Sequence, residues 1–337
     1  MRSVLSFFIS LIAGVGLLVW ISRFIGWQET KSALLIFTGW HGMVIVLLTL
    51  LMILAGAWKW KMILKSQGYR LSNREIIAPY LTCFSLIYLF QMVIFGGELF
   101  RGYVLREKYN IPWAKAISSV FIDKILEITS FLVTILAGTA YFLFKIGLPP
   151  KNLGLIFGIF LAVCLISVGF FYFKIFKRES IIKPLNIFLN RRKSLGGDLL
   201  EIEKEIFKFF KIKRKALWGG LALAFLRVAI TWARCWILIL FLGKSISILS
   251  ALTVLGFYYF ATAIPIPAAL GSHEAVQVFT FNALGLGSGL APAFTMIQRG
   301  AELIMAFIGL IIFFKLGTGL LKAFLFKKID SIMKQNQ

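Results

Sequence analysis

Six stretches of this chain are apolar over close to, or more than, the ~20 residues that a helix needs to cross a bilayer. They are roughly Val4–Ile25, Ser32–Ala57, Ala116–Phe144, Leu153–Phe173, Ala216–Leu242 and Ala291–Phe314. Two further apolar stretches, Ile76–Phe95 and Ile248–Leu286, carry Gly or Pro breaks. The sharper break reads Pro265-Ile266-Pro267-Ala268-Ala269-Leu270-Gly271-Ser272-His273-Glu274. Each Pro removes a backbone donor and clashes with the preceding turn, so a helix entering from Leu249 must end here. In hydrocarbon the freed backbone groups need partners, and irregular backbone survives only when buried in protein or lining a wet cavity. Ser272 then caps a new helix, and Glu274 falls in its first turn, where the helix dipole tolerates negative charge. A broken helix with an ionisable residue at membrane depth is a candidate site. A Pro-Gly loop between two short helices at the membrane surface is the plainer alternative.

Lysine and arginine, which concentrate in cytoplasmic loops, decide how the two interrupted stretches thread. With Met1 in the cytoplasm and both stretches dipping in and returning, 28 Lys/Arg lie inside and five outside, namely Arg23, Lys31, Lys145, Lys151 and Lys244. No arrangement with eight full spans does as well. The predicted fold is therefore an all-α, polytopic integral membrane protein with six full spans, two oppositely oriented re-entrant helical hairpins and both termini cytoplasmic. Residues 1–145 and 153–316 become two inverted repeats within a single transmembrane domain, 1–337, a plan that places sites between the repeats. A faint echo agrees: Gly96-Gly97-Glu98 precedes Lys124 at nearly the spacing with which Gly271-Ser272-His273-Glu274 precedes Arg299. The start, Met1-Arg2 followed by Val4–Ile21, reads as an uncleaved first span, since no small-residue cleavage site closes it.

Residues 174–215 form a basic cytoplasmic loop, within which Leu199, Ile202, Ile206 and Phe209/Phe210 recur at helical spacing. The spacing predicts an amphipathic helix lying on an anionic leaflet. Trp27, Trp58, Trp60, Trp113 and Trp218 fall near span ends, as an interfacial aromatic belt would place them.

Composition agrees with the membrane. Of 337 residues 59% are hydrophobic and 34 are Phe, against about 45–50% apolar in soluble domains. The net charge of +23 would suggest nucleic acid in a soluble protein; set between apolar runs, it reads as orientation and attraction to anionic lipid. Cys83, Cys164 and Cys235 lie in apolar segments with no metal-like spacing. There is no P-loop, so no ATP-driven pump is expected. With two His and no nucleophile–His–acid set, no catalytic constellation, metal or cofactor is expected either.

The chemistry lies in charges in the wrong solvent: Glu98, Arg101, Asp123, Lys124, Glu127, Arg227, Arg234, Glu274, Arg299 and Glu302. Each costs about 2.5–3.5 kcal/mol at the bilayer centre, so they must face one another, water or a polar ligand. Asp123 and Glu127 share a helix face with Lys124 beside them. Arg227 and Arg234 share another, about 10 Å apart along the axis. Arg299 and Glu302, at i and i+3, can pair directly. One reading is a set of buried ion pairs holding the repeats together, with Arg101, Asp123 and Lys124 simply interfacial. The other leaves arginines to grip a phosphate, which the guanidinium fork suits. His273 can switch charge near neutral pH or simply hydrogen-bond at a helix start.

At these residues the chain resembles the lysylphosphatidylglycerol synthase transmembrane, or flippase-like, family. The family's Gly-Gly-acid-x-x-Arg motif reads Gly96-Gly97-Glu98-Leu99-Phe100-Arg101 here, and its acid-Arg pair reads Asp123-Lys124. Its Pro-Gly-Gly-x-Gly-x-Arg-Glu motif is matched by Pro267 to Glu274, with Ala268, Ala269 and His273 substituted, and a later Arg by Arg299. Ile94-Phe95 replaces the Pro that usually precedes the first Gly-Gly. The resemblance implies translocation of, or support for the synthesis of, aminoacyl-phospholipids, glycolipids or polyprenyl-linked sugars. The soluble aminoacyl-transferring domain of longer members has no match here, so lysylphosphatidylglycerol synthesis is not expected. The expectation is a flippase of the cytoplasmic membrane, moving an anionic phospholipid or a polyprenyl- or glycolipid headgroup without ATP. Its site would comprise Glu98, Arg101, Asp123, Lys124, Arg227, Arg234, His273, Glu274, Arg299 and Glu302. Gly96, Gly97, Pro265, Pro267 and Gly271 would form the hairpin backbone. Nucleic acid is not expected as a partner, and a second copy of the chain is allowed. A membrane-embedded lipid-modifying enzyme, its accessory subunit or a scaffold would draw on the same residues.

Overall fold

A computed structural model describes residues 39–89, 96–149, 151–177, 179–180, 193–263 and 272–335. The predicted first span, the start of the second, and Pro265, Pro267 and Gly271 lie outside the described residues. Ten helices make up the regular structure that is described. They are α1 (Trp40–Ser66), α2 (Asn73–Leu89), α3 (Gly96–Tyr109), α4 (Trp113–Lys145), α5 (Lys151–Lys177), α6 (Lys193–Ile212), α7 (Arg214–Phe241), α8 (Ile248–Ala263), α9 (Ser272–Ala283) and α10 (Leu290–Gln335). Among the described residues four segments are long and apolar enough to cross a membrane: Trp40–Ser66, Phe157–Lys177, Arg214–Phe241 and Leu290–Leu316. The chain is a polytopic, all-helical membrane protein.

Local chemistry sets the helix ends. Gly68, at φ +99°, closes α1, and the Tyr69 N–H returns to the Leu64 carbonyl at 3.0 Å, a left-handed C-terminal cap that glycine adopts without strain. Ser72 and Glu75 form a reciprocal capping box at the start of α2: the Ser72 N–H donates to Glu75 Oε2 at 2.7 Å and the Glu75 N–H to Ser72 Oγ at 3.4 Å.

At each predicted break two short helices meet and pack on one another, α2 with α3 and α8 with α9. At 17 and 16 residues, α2 and α8 rise about 25 Å, short of the ~30 Å hydrocarbon core. The order of α1–α4, with lengths of 27, 17, 14 and 33 residues, is repeated by α7–α10 with 28, 16, 12 and 46. The packing follows the same exchange. Helix α1 lies on α7; α4 crosses α8 as α10 crosses α2; α3 meets α4 as α9 meets α10. Both crossings run through glycine, as membrane helices approach most closely where side chains are smallest. A Cβ on Gly138 of α4 would come 2.8 Å from the Leu252 carbonyl oxygen of α8, and one on Gly309 of α10 would overlap the Leu81 carbonyl of α2.

Helix α5 packs little and presents Leu155, Ile159, Val163, Ile166, Phe170 and Phe173 outward, as a lipid-facing span would.

Two sequence expectations are corrected here. Helix α6 is amphipathic, but Ile202, Ile206, Phe209 and Phe210 are buried against Ile63, Ile117, Leu126 and Ile175. Its apolar face is covered by the protein, mostly α4, so the apolar spacing reported a helix interface and not a lipid surface. Trp60 does not belong to an interfacial belt: it is fully buried, and its indole N–H donates to Ser119 Oγ at 3.1 Å. Trp58 and Trp218 are exposed, as the belt requires; Trp27 lies outside the described residues.

Candidate functional site

A cavity of about 210 Å³ sits where α2, α3, α4, α7, α8, α9 and α10 converge. Nine of the ten charged or imidazole side chains predicted for the site line it: Glu98, Arg101, Asp123, Lys124, Arg227, Arg234, His273, Arg299 and Glu302, with Glu127 besides. The tenth, Glu274, is wholly buried behind the wall and touches Arg299. Tyr80, Tyr88, Tyr258 and Tyr259 complete a polar, aromatic lining.

The helices dictate who meets whom. Glu98 and Glu274 stand in the first turns of α3 and α9, and each meets a cation from the following long helix: Lys124 Nζ lies 3.4 Å from Glu98, and Arg299 Nη1 lies 3.6 Å from Glu274. One turn further along α4 and α10, Glu127 holds Arg227 at 2.6 Å and Glu302 holds Arg234 at 2.7 Å. The shared face predicted for Arg227 and Arg234 is observed, since both reach the cavity from α7. The direct Arg299–Glu302 pair is not. Glu302 turns instead to Arg234 and to the Tyr258 hydroxyl, which donates to it at 3.2 Å. The reason is cross-helix contact: α7 and α8 bring better-placed donors than the same-helix neighbour.

Asp123 is the most heavily held acid. Arg101 Nη1 donates to its Oδ2 at 2.9 Å, and Lys59 Nζ sits 3.1 Å from its Oδ1 and donates to its backbone oxygen at 3.0 Å. Arg101 and Asp123 are buried, so neither is an interfacial side chain facing water. The Arg101 guanidinium lies against the Trp60 and Tyr80 rings at 4.6 and 5.1 Å, two cation–π contacts that offset its desolvation. Sequence reasoning missed Lys59 by ending the second span at Ala57; α1 runs to Ser66, and Lys59 is fully buried. The signal was there, because the apolar positions Ile53, Ala57, Trp60 and Leu64 continue at helical spacing past it.

Together Lys59, Arg101, Lys124, Arg227, Arg234 and Arg299 face Glu98, Asp123, Glu127, Glu274 and Glu302, one formal positive charge in excess. Two of the cavity arginines also hold a buried donor in reserve: Nε of Arg101 and Nε of Arg234 have no hydrogen-bond partner, nor has Nδ1 of His273. Buried polar groups left unpartnered are costly and few in native proteins. No set of three or more His, Cys, Asp or Glu is placed to hold a metal among the described residues. Gly97 fits close packing, since a Cβ there would lie 2.9 Å from the Cys83 carbonyl oxygen of α2; Gly96 opens α3.

A second cavity, apolar and about 650 Å³, lies between α4, α5, α8 and α9. Helix α8 divides the two: Tyr258, Tyr259 and Thr262 face the polar cavity, while Phe257 and Phe260 face the apolar one.

The helical fold and the cavity inside it define a polytopic membrane protein with charged side chains gathered within its helix bundle. The chain belongs to the family described as the lysylphosphatidylglycerol synthase TM region, whose model matches residues 4–309. It is also similar to a UPF0104 membrane protein of Methanocaldococcus jannaschii, 26% identical over 263 residues that cover 73% of this chain and 76% of that protein. No solved structure matches the chain.

Proposed function

We propose that this protein translocates an anionic phospholipid or lipid-linked headgroup between the leaflets of the cytoplasmic membrane without hydrolysing ATP. The observation that carries the reading is the cavity itself: five cationic side chains line it, and two of them keep buried N–H donors without partners. The adjoining apolar cavity offers the chain of the same lipid a place next to its headgroup. Membership of a lipid-related membrane family supports the same class of substrate. Two inverted repeats, 1–145 and 153–316, would rock about the cavity and expose it to each leaflet in turn; the matching helix order and exchanged packing of α1–α4 and α7–α10 support that arrangement. In this reading α2/α3 and α8/α9 are re-entrant hairpins, both termini are cytoplasmic, and the protein is a carrier and not an enzyme.

Leaflet exchange is tested in liposomes containing headgroup-labelled phosphatidylglycerol, with an impermeant quencher reporting sidedness. Wild type is expected to exchange the label above empty liposomes, and Glu274→Gln and Arg299→Ala are expected to fall to the empty-liposome level while remaining folded. Normal exchange by both variants would remove the site assignment. A labelled lipid altered in mass would favour a lipid-modifying enzyme.

Topology has its own test. Single cysteines at Lys108 and Lys204 are expected to react with an impermeant thiol reagent from one face of the membrane, and one at Lys145 from the other. Labelling of Lys108→Cys from the Lys145 side would mean that α2/α3 cross fully, and would end the hairpin threading.

A further inference from the structure

Every cation in the cavity wall touches a carboxylate, so an arriving anion must compete with an acid for its arginine or lysine. Lys124 carries Glu98, Arg227 carries Glu127, Arg234 carries Glu302 and Arg299 carries Glu274. Drawing any of these onto a ligand takes a charge partner from a buried or half-buried glutamate, and an uncompensated buried charge is strongly destabilising. Asp123 differs because two cations share it, Arg101 on one oxygen and Lys59 on the other.

We propose that Arg101 is the residue that takes the anionic headgroup, and that Lys59 is the positioning residue that frees it by staying with Asp123. The inference rests on the reading that a headgroup enters this cavity. Lys59 cannot serve as the ligand cation itself: it is fully buried, is anchored to both the carboxylate and the backbone oxygen of Asp123, and does not line the cavity. Arg101 does line it. Its one hydrogen bond to Asp123 runs through Nη1, its Nε has no partner, and the Trp60 and Tyr80 rings lie against its guanidinium. A guanidinium has five N–H donors in a fixed fork, so most of its capacity remains for phosphate oxygens.

The other half of the molecule provides an internal control. The register that carries Glu98 onto Glu274, Lys124 onto Arg299 and Glu127 onto Glu302 carries Asp123 onto Gln298 and Arg101 onto Gln277. There the corresponding contact is neutral, with Gln298 Nε2 donating to Cys235 Sγ at 3.0 Å. Both charges are replaced together. Helix packing at this position therefore does not require an acid and an arginine, and the aspartate and arginine of the first half, joined by Lys59, form one unit that serves the cavity.

The test uses purified full-length protein and headgroup-labelled phosphatidylglycerol, with labelled phosphatidylcholine as the zwitterionic control and melting temperature recorded for each variant. Arg101→Ala is expected to weaken phosphatidylglycerol binding about thirtyfold, as loss of a buried charged contact does. Lys59→Met is expected to weaken it about tenfold, because Arg101 must then stay with Asp123. Removing both charges, in Lys59→Met/Asp123→Asn, is expected to restore binding to within about threefold of wild type, since nothing then retains Arg101. Asp123→Asn is not expected to rescue Arg101→Ala. A double variant that melts like wild type yet binds no better than Lys59→Met overturns the proposal, as does wild-type affinity in Arg101→Ala. If wild type itself binds neither lipid, the headgroup reading fails and takes this inference with it. If wild type binds and exchanges phosphatidylglycerol while the rescue fails, only the inference falls.

Discussion

Replacing Arg234 by Met is expected to destabilise the protein by about 3–5 kcal/mol, and adding Glu302→Gln to the same chain to return most of that loss. Arg234 is wholly buried, with Nη1 donating to Thr49 Oγ1 at 2.9 Å and Nη2 to Glu302 Oε1 at 2.7 Å. Through those bonds, and the Tyr258 hydroxyl on Glu302, one side chain ties α7 to α1, α10 and α8. Methionine keeps the length of the stem but leaves Glu302 charged with only the tyrosine hydroxyl to compensate it. Glutamine at position 302 removes the charge and still accepts from Tyr258. Buried ion pairs replaced as a unit by neutral groups of similar volume are often tolerated, whereas half a pair is not. The measurement is the apparent melting temperature in detergent, read by size exclusion after heating. Wild-type melting in Arg234→Met would mean that cavity water solvates Glu302, and that Arg234 is as available to a ligand as Arg101.

Gly309→Ala is expected to lower stability by about 1–3 kcal/mol or more, as overpacking does, and to reduce transport with it. The added Cβ would meet the Leu81 carbonyl oxygen and Ser85 Oγ of α2. Neither can move aside readily: the carbonyl is backbone, and Ser85 Oγ is hydrogen-bonded to that same oxygen at 3.0 Å. Helix α10 must therefore back away from α2, taking Arg299 and Glu302, two to three turns earlier on the same helix, out of register with Glu274 and Arg234. Gly169→Ala is the matched control. It lies on the sparsely packed α5 with open space around its Cα, and in a helix interior that change is neutral or favourable by about 0.5–1 kcal/mol. Equal melting of the two variants would show that α2 and α10 yield easily, and that the close crossing does not position the site.

The residues that line the cavity were legible in the sequence because charge in an apolar run has few places to go. Asp123, Arg227 and Arg299 each sit in a helix too hydrophobic to offer them water, so a shared interior was the economical solution. That two apolar stretches are interrupted was legible for a related reason, since hydrocarbon forces the backbone to satisfy its own hydrogen bonds. Pairing was not legible. Sequence spacing offered Arg299 to Glu302 as a same-helix neighbour, but α9 and α7 supplied closer partners for each, and the rotation of packed helices decides that. Lys59 and Trp60 were assigned to the water side of α1 because a charged, aromatic tetrapeptide at the end of an apolar run resembles an interface. They are buried because α3 and α4 cover that last stretch with Arg101, Asp123 and Ser119. The apolar spacing of Ile202, Ile206 and Phe209 specified an amphipathic helix, yet lipid and protein bury such a face equally well, and only the position of α4 against it decided between them. What the sequence determined by itself was the set of elements and the inventory of charges that must be hidden. The tertiary structure decided which charge meets which, and left Asp123 with two cations, because those contacts join helices far apart in the chain.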